Sequence, residues 1–221
     1  MHGGRETGRY RNGGELAASG GEGAMAEYTA TTPLDEATVR QWRCGDSVYL
    51  SGVVWGIRDA SLIRMFDHGQ PPPVDLHGAV LLHVAPNVRK TPHGYEPLSV
   101  GTTTSMRMDR FTAPLLRQYG VRAICGKGGL SEASSAAFQR YGGVYLAVVG
   151  GAASVETLQV EAIEAVYWED LMPECLWQFR FRDFGPLTVG MDAQGGSIYR
   201  EVEANARARL PELYRRLGIP G

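Results

Sequence analysis

Residues 121–149 read VRAICGKGGLSEASSAAFQRYGGVYLAVV, and this stretch decides the fold. Val121-Arg122-Ala123-Ile124-Cys125 is a short strand, broken by Gly126-Lys127-Gly128-Gly129. Ser131 with Glu132 then has the form of a helix N-terminus, a capping hydroxyl followed by an acid in the first turn. Gly142-Gly143 ends that helix, since glycine takes the left-handed conformation a helix C-terminus needs. Val144-Tyr145-Leu146-Ala147-Val148-Val149 is a continuous apolar run, the pattern of a strand covered on both faces. Strand, turn, helix and strand in this order predict an α/β core.

The same alternation extends upstream. Gly78-Ala79-Val80-Leu81-Leu82-His83-Val84 is a second continuous apolar run. A helix is expected from Asp109 to about Tyr119, with Gly120 as its C-cap. Ser47 to Trp55 is β-branched and aromatic and reads as strand. Arg58-Asp59-Ala60-Ser61 opens a helix towards His68, and Pro71-Pro72-Pro73 forces an extended linker. Thr31-Thr32-Pro33-Leu34-Asp35-Glu36 has the form of another helix start, with the helix expected to reach about Trp42. Beyond Gly151 the chain becomes richer in strand, around Val166-Tyr167-Trp168 and Trp177 to Phe181. Asp192 to Gly196 reads as a turn, and Glu203 to Leu217 as a charged amphipathic helix. Residues 1–24 are glycine-dense and poor in apolar groups, so a disordered tail, or sequence upstream of a start at Met25, is expected there. Residues 25–221 are expected to form one domain.

Composition excludes several classes of function. Lys plus Arg is 22 and Asp plus Glu 24, giving a formal charge of −2. No global positive charge invites nucleic acid or an anionic membrane. No apolar run is long enough to span a bilayer as a helix. Cys44, Cys125 and Cys175 are scattered, with no metal-ligand spacing. Their sparse use fits a reducing cytoplasm. The histidines show no metal spacing either.

Three segments at strand-to-helix junctions could carry chemistry. In Gly101-Thr102-Thr103-Thr104-Ser105-Met106-Arg107-Met108-Asp109, hydroxyls and an arginine precede a helix, an arrangement able to grip a carboxylate. A hydroxyl-rich loop capped by Asp109 accounts for the same residues. Gly126-Lys127-Gly128-Gly129 puts a lysine among glycines at the end of a buried strand, where open α/β sheets bind ligands. It is not a P-loop, because Val121 stands where the first glycine would be. It matches the GxxG of a KH domain only over four residues. A tight turn with a solvated lysine is the plainer alternative. In Gly56-Ile57-Arg58-Asp59, the arginine either faces a ligand or pairs with its neighbour. If the three junctions converge, Arg58, Arg107 and Lys127 form a local cation cluster suited to a small dianion.

Taken together, Gly101 to Asp109, Gly126 to Gly129 and Tyr141 to Ala153 resemble the β region of class I fumarases and L-tartrate dehydratases. Thr31 to Leu34, Gly45 to Gly52 and Glu169-Asp170-Leu171 add to the resemblance, which covers roughly residues 31–200. It implies a swivelling β/β/α domain, with mixed sheets and flanking helices. It also implies a partner α subunit whose cysteines hold a [4Fe–4S] cluster, while this chain binds no metal. Thr103 would then be the base that moves the C3 proton of a four-carbon dicarboxylate, with Lys127 a second catalytic candidate. Arg58, Arg107 and Lys127 would bind the substrate carboxylates, beside Thr104 and Gly126. A homo- or hetero-oligomer is expected. The chain departs from the family at Leu62 and Ile63, where a histidine and a basic residue are usual, and at Thr102, usually proline. It departs again at Val84-Ala85-Pro86, usually a small residue, Gly and Pro. Two rivals remain: a cluster-free enzyme acting alone on another small carboxylate, and a non-catalytic anion-binding module.

Overall fold

The computed structural model describes residues 25–149, 151 and 153–219, so the expectation for residues 1–24 lies outside it. The chain forms β1 (Glu27–Thr31), α1 (Glu36–Val39), β2 (Ser47–Ile57), α2 (Asp59–Phe66) and β3 (Val80–His83). There follow β4 (Asn87–Thr91), β5 (Gly94–Ser99), a 3-10 segment (Ser105–Phe111), α3 (Thr112–Tyr119), β6 (Ala123–Gly126), α4 (Glu132–Tyr141) and β7 (Val144–Ala147). The rest is α5 (Ala153–Leu158), β8 (Val160–Tyr167), a 3-10 turn (Glu169–Leu171), β9 (Leu176–Met191) and α6 (Ile198–Leu217). This is a mixed α/β fold with flanking helices.

The main sheet has the order β1-β2-β3-β6-β7-β9-β8, and β9 pairs with β2 as well. That extra pairing closes β2, β3, β6, β7 and β9 into a ring. β2, β3, β6 and β7 run parallel, and β9 is antiparallel to β2, β7 and β8. The 16 residues of β9 reach both sides of the ring by way of register shifts against β2.

Ring closure explains the continuous apolar runs. Strand side chains alternate between faces, and here each face meets a core. Val80, Leu82, Ala123, Cys125, Val144 and Leu146 pack with Trp177, Phe179 and Phe181 in one cluster. Their neighbours Leu81, Ile124 and Tyr145 pack in the other, with Leu62 and Met65 of α2, Leu115 and Leu116 of α3, and Phe138 of α4. Burying one such leucine contributes roughly 1.5–3 kcal/mol, so the crossover helices are held by packing on the parallel strands. α4 is also capped as its sequence predicts: Ser131 accepts from Ser134 N, and Gly142 ends the helix in the left-handed conformation.

Several expectations need correction. The helix expected to reach Trp42 ends at Val39, and Thr31 belongs to β1. Asp35 does cap it, accepting from Thr38 N at 2.6 Å. The helix expected from Asp109 begins as a 3-10 segment and becomes α-helical only at Thr112. Asp109 instead caps α4 across space, accepting from Ser131 N, Ser131 Oγ and Ser134 Oγ, each at 2.7 Å. Trp168 lies outside β8, at φ 61. The hairpin of β4 and β5 was not expected. Leu62 is fully buried and Ile63 packs against the same cluster, so both serve the core.

Candidate functional site

The parallel strands β2, β3 and β6 deliver Arg58, His83 and Lys127 to the same end of the sheet, the carboxyl end. The Thr102–Ser105 loop is laid across that end by backbone hydrogen bonds. Thr103 N donates to His83 O at 2.9 Å, and Ser105 N to Lys127 O at 3.0 Å. Lys127 N donates back to Thr103 O at 3.5 Å, and Thr104 bridges Lys127. The loop is therefore fixed by its main chain and not by the Thr103 and Thr104 side chains.

The close approach of loop and strand depends on one glycine. A Cβ at Gly126 would collide with Ser105 Oγ. Gly128 and Gly129 follow at φ 84 and 73, a left-handed turn that other residues rarely adopt.

Two of the expected cations, Arg58 and Arg107, come together. Arg107 Nη2 donates to Thr103 Oγ1 at 3.0 Å and lies 3.7 Å from Asp59 Oδ2. Arg58 Nε lies 3.1 Å from the same Asp59 oxygen and 3.3 Å from Glu174 Oε1. Asp59 thus joins the two arginines, and Thr103 is tied to the second. Arg58 is half-buried, while the Arg107 side chain is 50% exposed. The site is an open face. A separate cavity of about 240 Å³ lies between β1 and α1, away from this cluster, lined by Tyr28, Leu34 and Trp42 among others.

Sequence reasoning missed the anionic side of this site. The sequence offers Asp59 only as a neighbour for Arg58 to pair with, and gives no signal for Glu174. Glu174 Oε2 accepts Ala60 N at 2.8 Å, and Ser61 Oγ donates to Glu174 O at 2.5 Å, fixing the start of α2. These contacts span 114 and 113 residues, so no local pattern announces them. A buried relay beneath the loop was also missed. Tyr145 O–H donates to Ser105 Oγ at 3.0 Å, and Ser105 Oγ is 3.0 Å from His83 Nδ1. His83 Nε2 has no partner among the described residues. Burial holds the His83 imidazole down at about 4, so it is neutral at physiological pH.

Residues 18–202 match the protein family described as the fumarase C-terminus. The chain belongs to this family. It is 38% identical over 172 residues to the L(+)-tartrate dehydratase subunit beta of Escherichia coli K12, covering 77% of this chain and 86% of that one. A Methanocaldococcus jannaschii protein, provisionally named an L(+)-tartrate dehydratase subunit beta, is 35% identical over 192 residues, 85% of this chain and 98% of its own. A Geobacillus stearothermophilus protein, provisionally named a class I fumarate hydratase, is 34% identical over 187 residues, which are 84% of this chain and 36% of its own. The fumarase C-terminus family is one of hydro-lyases, and the chain is of that enzyme type.

The relatives' class raises the question of an iron–sulfur cluster. Among the described residues, no group of three or more His, Cys, Asp or Glu could hold a metal ion. Cys125 and Cys175 are buried, and Cys44 is partly buried. Burial pushes Cys44 up to about 12 and Cys175 up to about 11, and raises Cys125 further. These are protonated thiols at neutral pH, poor ligands for iron. The described residues of this chain do not fit a cluster.

Proposed function

We propose that this chain is the β subunit of an Fe–S-dependent hydro-lyase that adds or removes water at a four-carbon dicarboxylate. Fumarate/malate and L-tartrate/oxaloacetate are the leading pairs. One observation supports the reading: Arg58 and Arg107 meet at Asp59, Arg107 donates to Thr103 Oγ1, and the Lys127 backbone pairs with the same threonine loop, in a chain with formal charge −2. The names of the relatives support it.

In this reading Arg58, Arg107 and Lys127 hold the substrate carboxylates, with Thr104 and Gly126 lining the same pocket. Thr103 Oγ takes the C3 proton, and Lys127 is the second candidate for that step. Removing a proton beside a carboxylate builds negative charge on that group. Fixed cations stabilise this charge most in the transition state. A threonine hydroxyl is a weak base in water, but an adjacent guanidinium favours its ionised form. Arg107 is the neighbour that supplies this. A [4Fe–4S] cluster would belong to an α subunit covering the open face. This chain's share is carboxylate binding and proton handling. The swivelling β/β/α domain, an oligomeric assembly and a cytoplasmic location are part of the same proposal.

Substitution tests it. Arg107→Lys keeps the charge but loses the planar fork. It should lower kcat/KM of the assembled enzyme by at least about tenfold, or about 1.4 kcal/mol, with the fold intact by circular dichroism. Arg58→Ala and Lys127→Ala should do the same. Full activity in all three variants would mean the site lies elsewhere.

A further inference from the structure

Glu156, on the short helix α5, is a buried carboxyl beside the threonine loop. It is 4% exposed, and its Oε2 has no hydrogen-bond partner. The carboxyl accepts the Thr102 N–H, and Lys127 is the cation that acts on it. The next residue is tied to the same stretch, since Thr157 Oγ1 accepts Val100 N at 2.8 Å. α5 therefore pins the chain just before Thr103. On its other side Glu156 faces an apolar cavity of about 100 Å³ lined by Val148, Val155, Phe184 and Leu187.

We propose that Glu156 is a positioning residue of the site: its carboxyl holds the threonine loop through Thr102 N–H and sets, by its own charge, how much of the Lys127 charge is left for an anionic substrate. The proposal rests on the dicarboxylate reading above. Burial raises this carboxyl to about 7, against the Thr102 N–H and Lys127, which both favour ionisation. The groups facing it can be named from each side. β6 and its following turn present the Cys125 thiol and Lys127. The β9 bend presents Phe184, Pro186 and Leu187, and α5 itself presents Val155. Below pH 7 the carboxyl is neutral and Lys127 attracts substrate undiminished. Above it, the carboxylate offsets Lys127 and weakens dianion binding. The cations alone would not give such a step near neutrality, because Lys and Arg ordinarily titrate far above it.

Two measurements on the full chain decide this. The first follows the Thr102 backbone amide by NMR from pH 5 to 9. An inflection near 7 is expected in the native chain and none in Glu156→Gln, which keeps an oxygen to accept Thr102 N–H but cannot ionise. The second reads KM for the dicarboxylate in the assembled enzyme. KM should rise by about fivefold or more from pH 6 to 8, fivefold being the effect of one unit charge at about 4 Å screened as in bulk water. In Glu156→Gln it should stay flat. A purely structural glutamate would leave the pH profile of KM the same in both forms. That result overturns the proposal, as does a native Thr102 amide without an inflection. An inflection in an assembly that turns over no dicarboxylate overturns instead the functional reading beneath it.

Discussion

Thr103→Val should lower kcat by at least about 100-fold while KM changes by less than about twofold, the signature of losing a proton-transfer group and not a binding group. Valine is nearly isosteric with threonine and removes only the hydroxyl. The loop should keep its shape, because it is set by backbone bonds from Thr103 N to His83 O and from Lys127 N to Thr103 O. Arg107 would lose its 3.0 Å contact to Thr103 Oγ1 but keep Asp59 nearby. The carboxylate grip should therefore survive. Steady-state kinetics on the assembled enzyme reads both constants. An unchanged kcat would remove Thr103 as the base and bring Lys127 forward.

His83 should cost the fold stability in acid, opposed by a gain of the other sign from Glu156, whose carboxyl is raised from 4.5 to about 7. Its folded-state pKa is about 4, depressed below the ordinary 6.5 by burial. The unfolded chain therefore takes up the proton first. The stabilisation is present above pH 6.5 and is lost as pH falls through 4. A shift of this size corresponds to about 3 kcal/mol. Protonation would place a charge at the unpartnered Nε2 and turn Nδ1 into a donor towards Ser105 Oγ, against the Tyr145–Ser105 bond. Urea unfolding of the native chain and of His83→Gln at pH 7 and at pH 4 isolates the His83 part, because Glu156 acts equally in both. The native chain should lose about 3 kcal/mol more than the variant over this range, whatever their stabilities at pH 7. Equal slopes in the two proteins would refute the assignment.

The parts of the fold that were legible in sequence are those where one local rule decides. Val80 to His83 and Val144 to Ala147 are covered on both faces, so their apolar runs are unbroken. Ser131 and Gly142 mark α4 at both ends by capping chemistry alone. β1 has an alternating exposed pattern and polar residues, so it offers no apolar run to read. β4 and β5 are likewise exposed, and Pro97 inside β5 hides a strand that lies outside the main sheet. Arg58 and Lys127 stood out as candidates because a strand end and glycines frame each of them. Their counter-charges did not. Glu174 reaches α2 from more than a hundred residues away, and Glu156 reaches the loop from a helix that no pattern ties to it. Leu62 shows the opposite error: its neighbours in sequence suggest the site, while its position on α2 turns it into the core.

The central claim is that this chain supplies one half of a hydro-lyase site and needs a cluster-bearing partner for the other. The most direct test is to purify the full chain without oxygen, alone and co-expressed with a matching α subunit, and to measure iron and turnover of malate and L-tartrate together. The account predicts a colourless, iron-free, inactive chain when alone, with iron, colour and activity all appearing when the partner is present. Turnover of a dicarboxylate by the isolated chain, with iron below stoichiometric traces, would contradict it and make the chain a cluster-free enzyme in its own right.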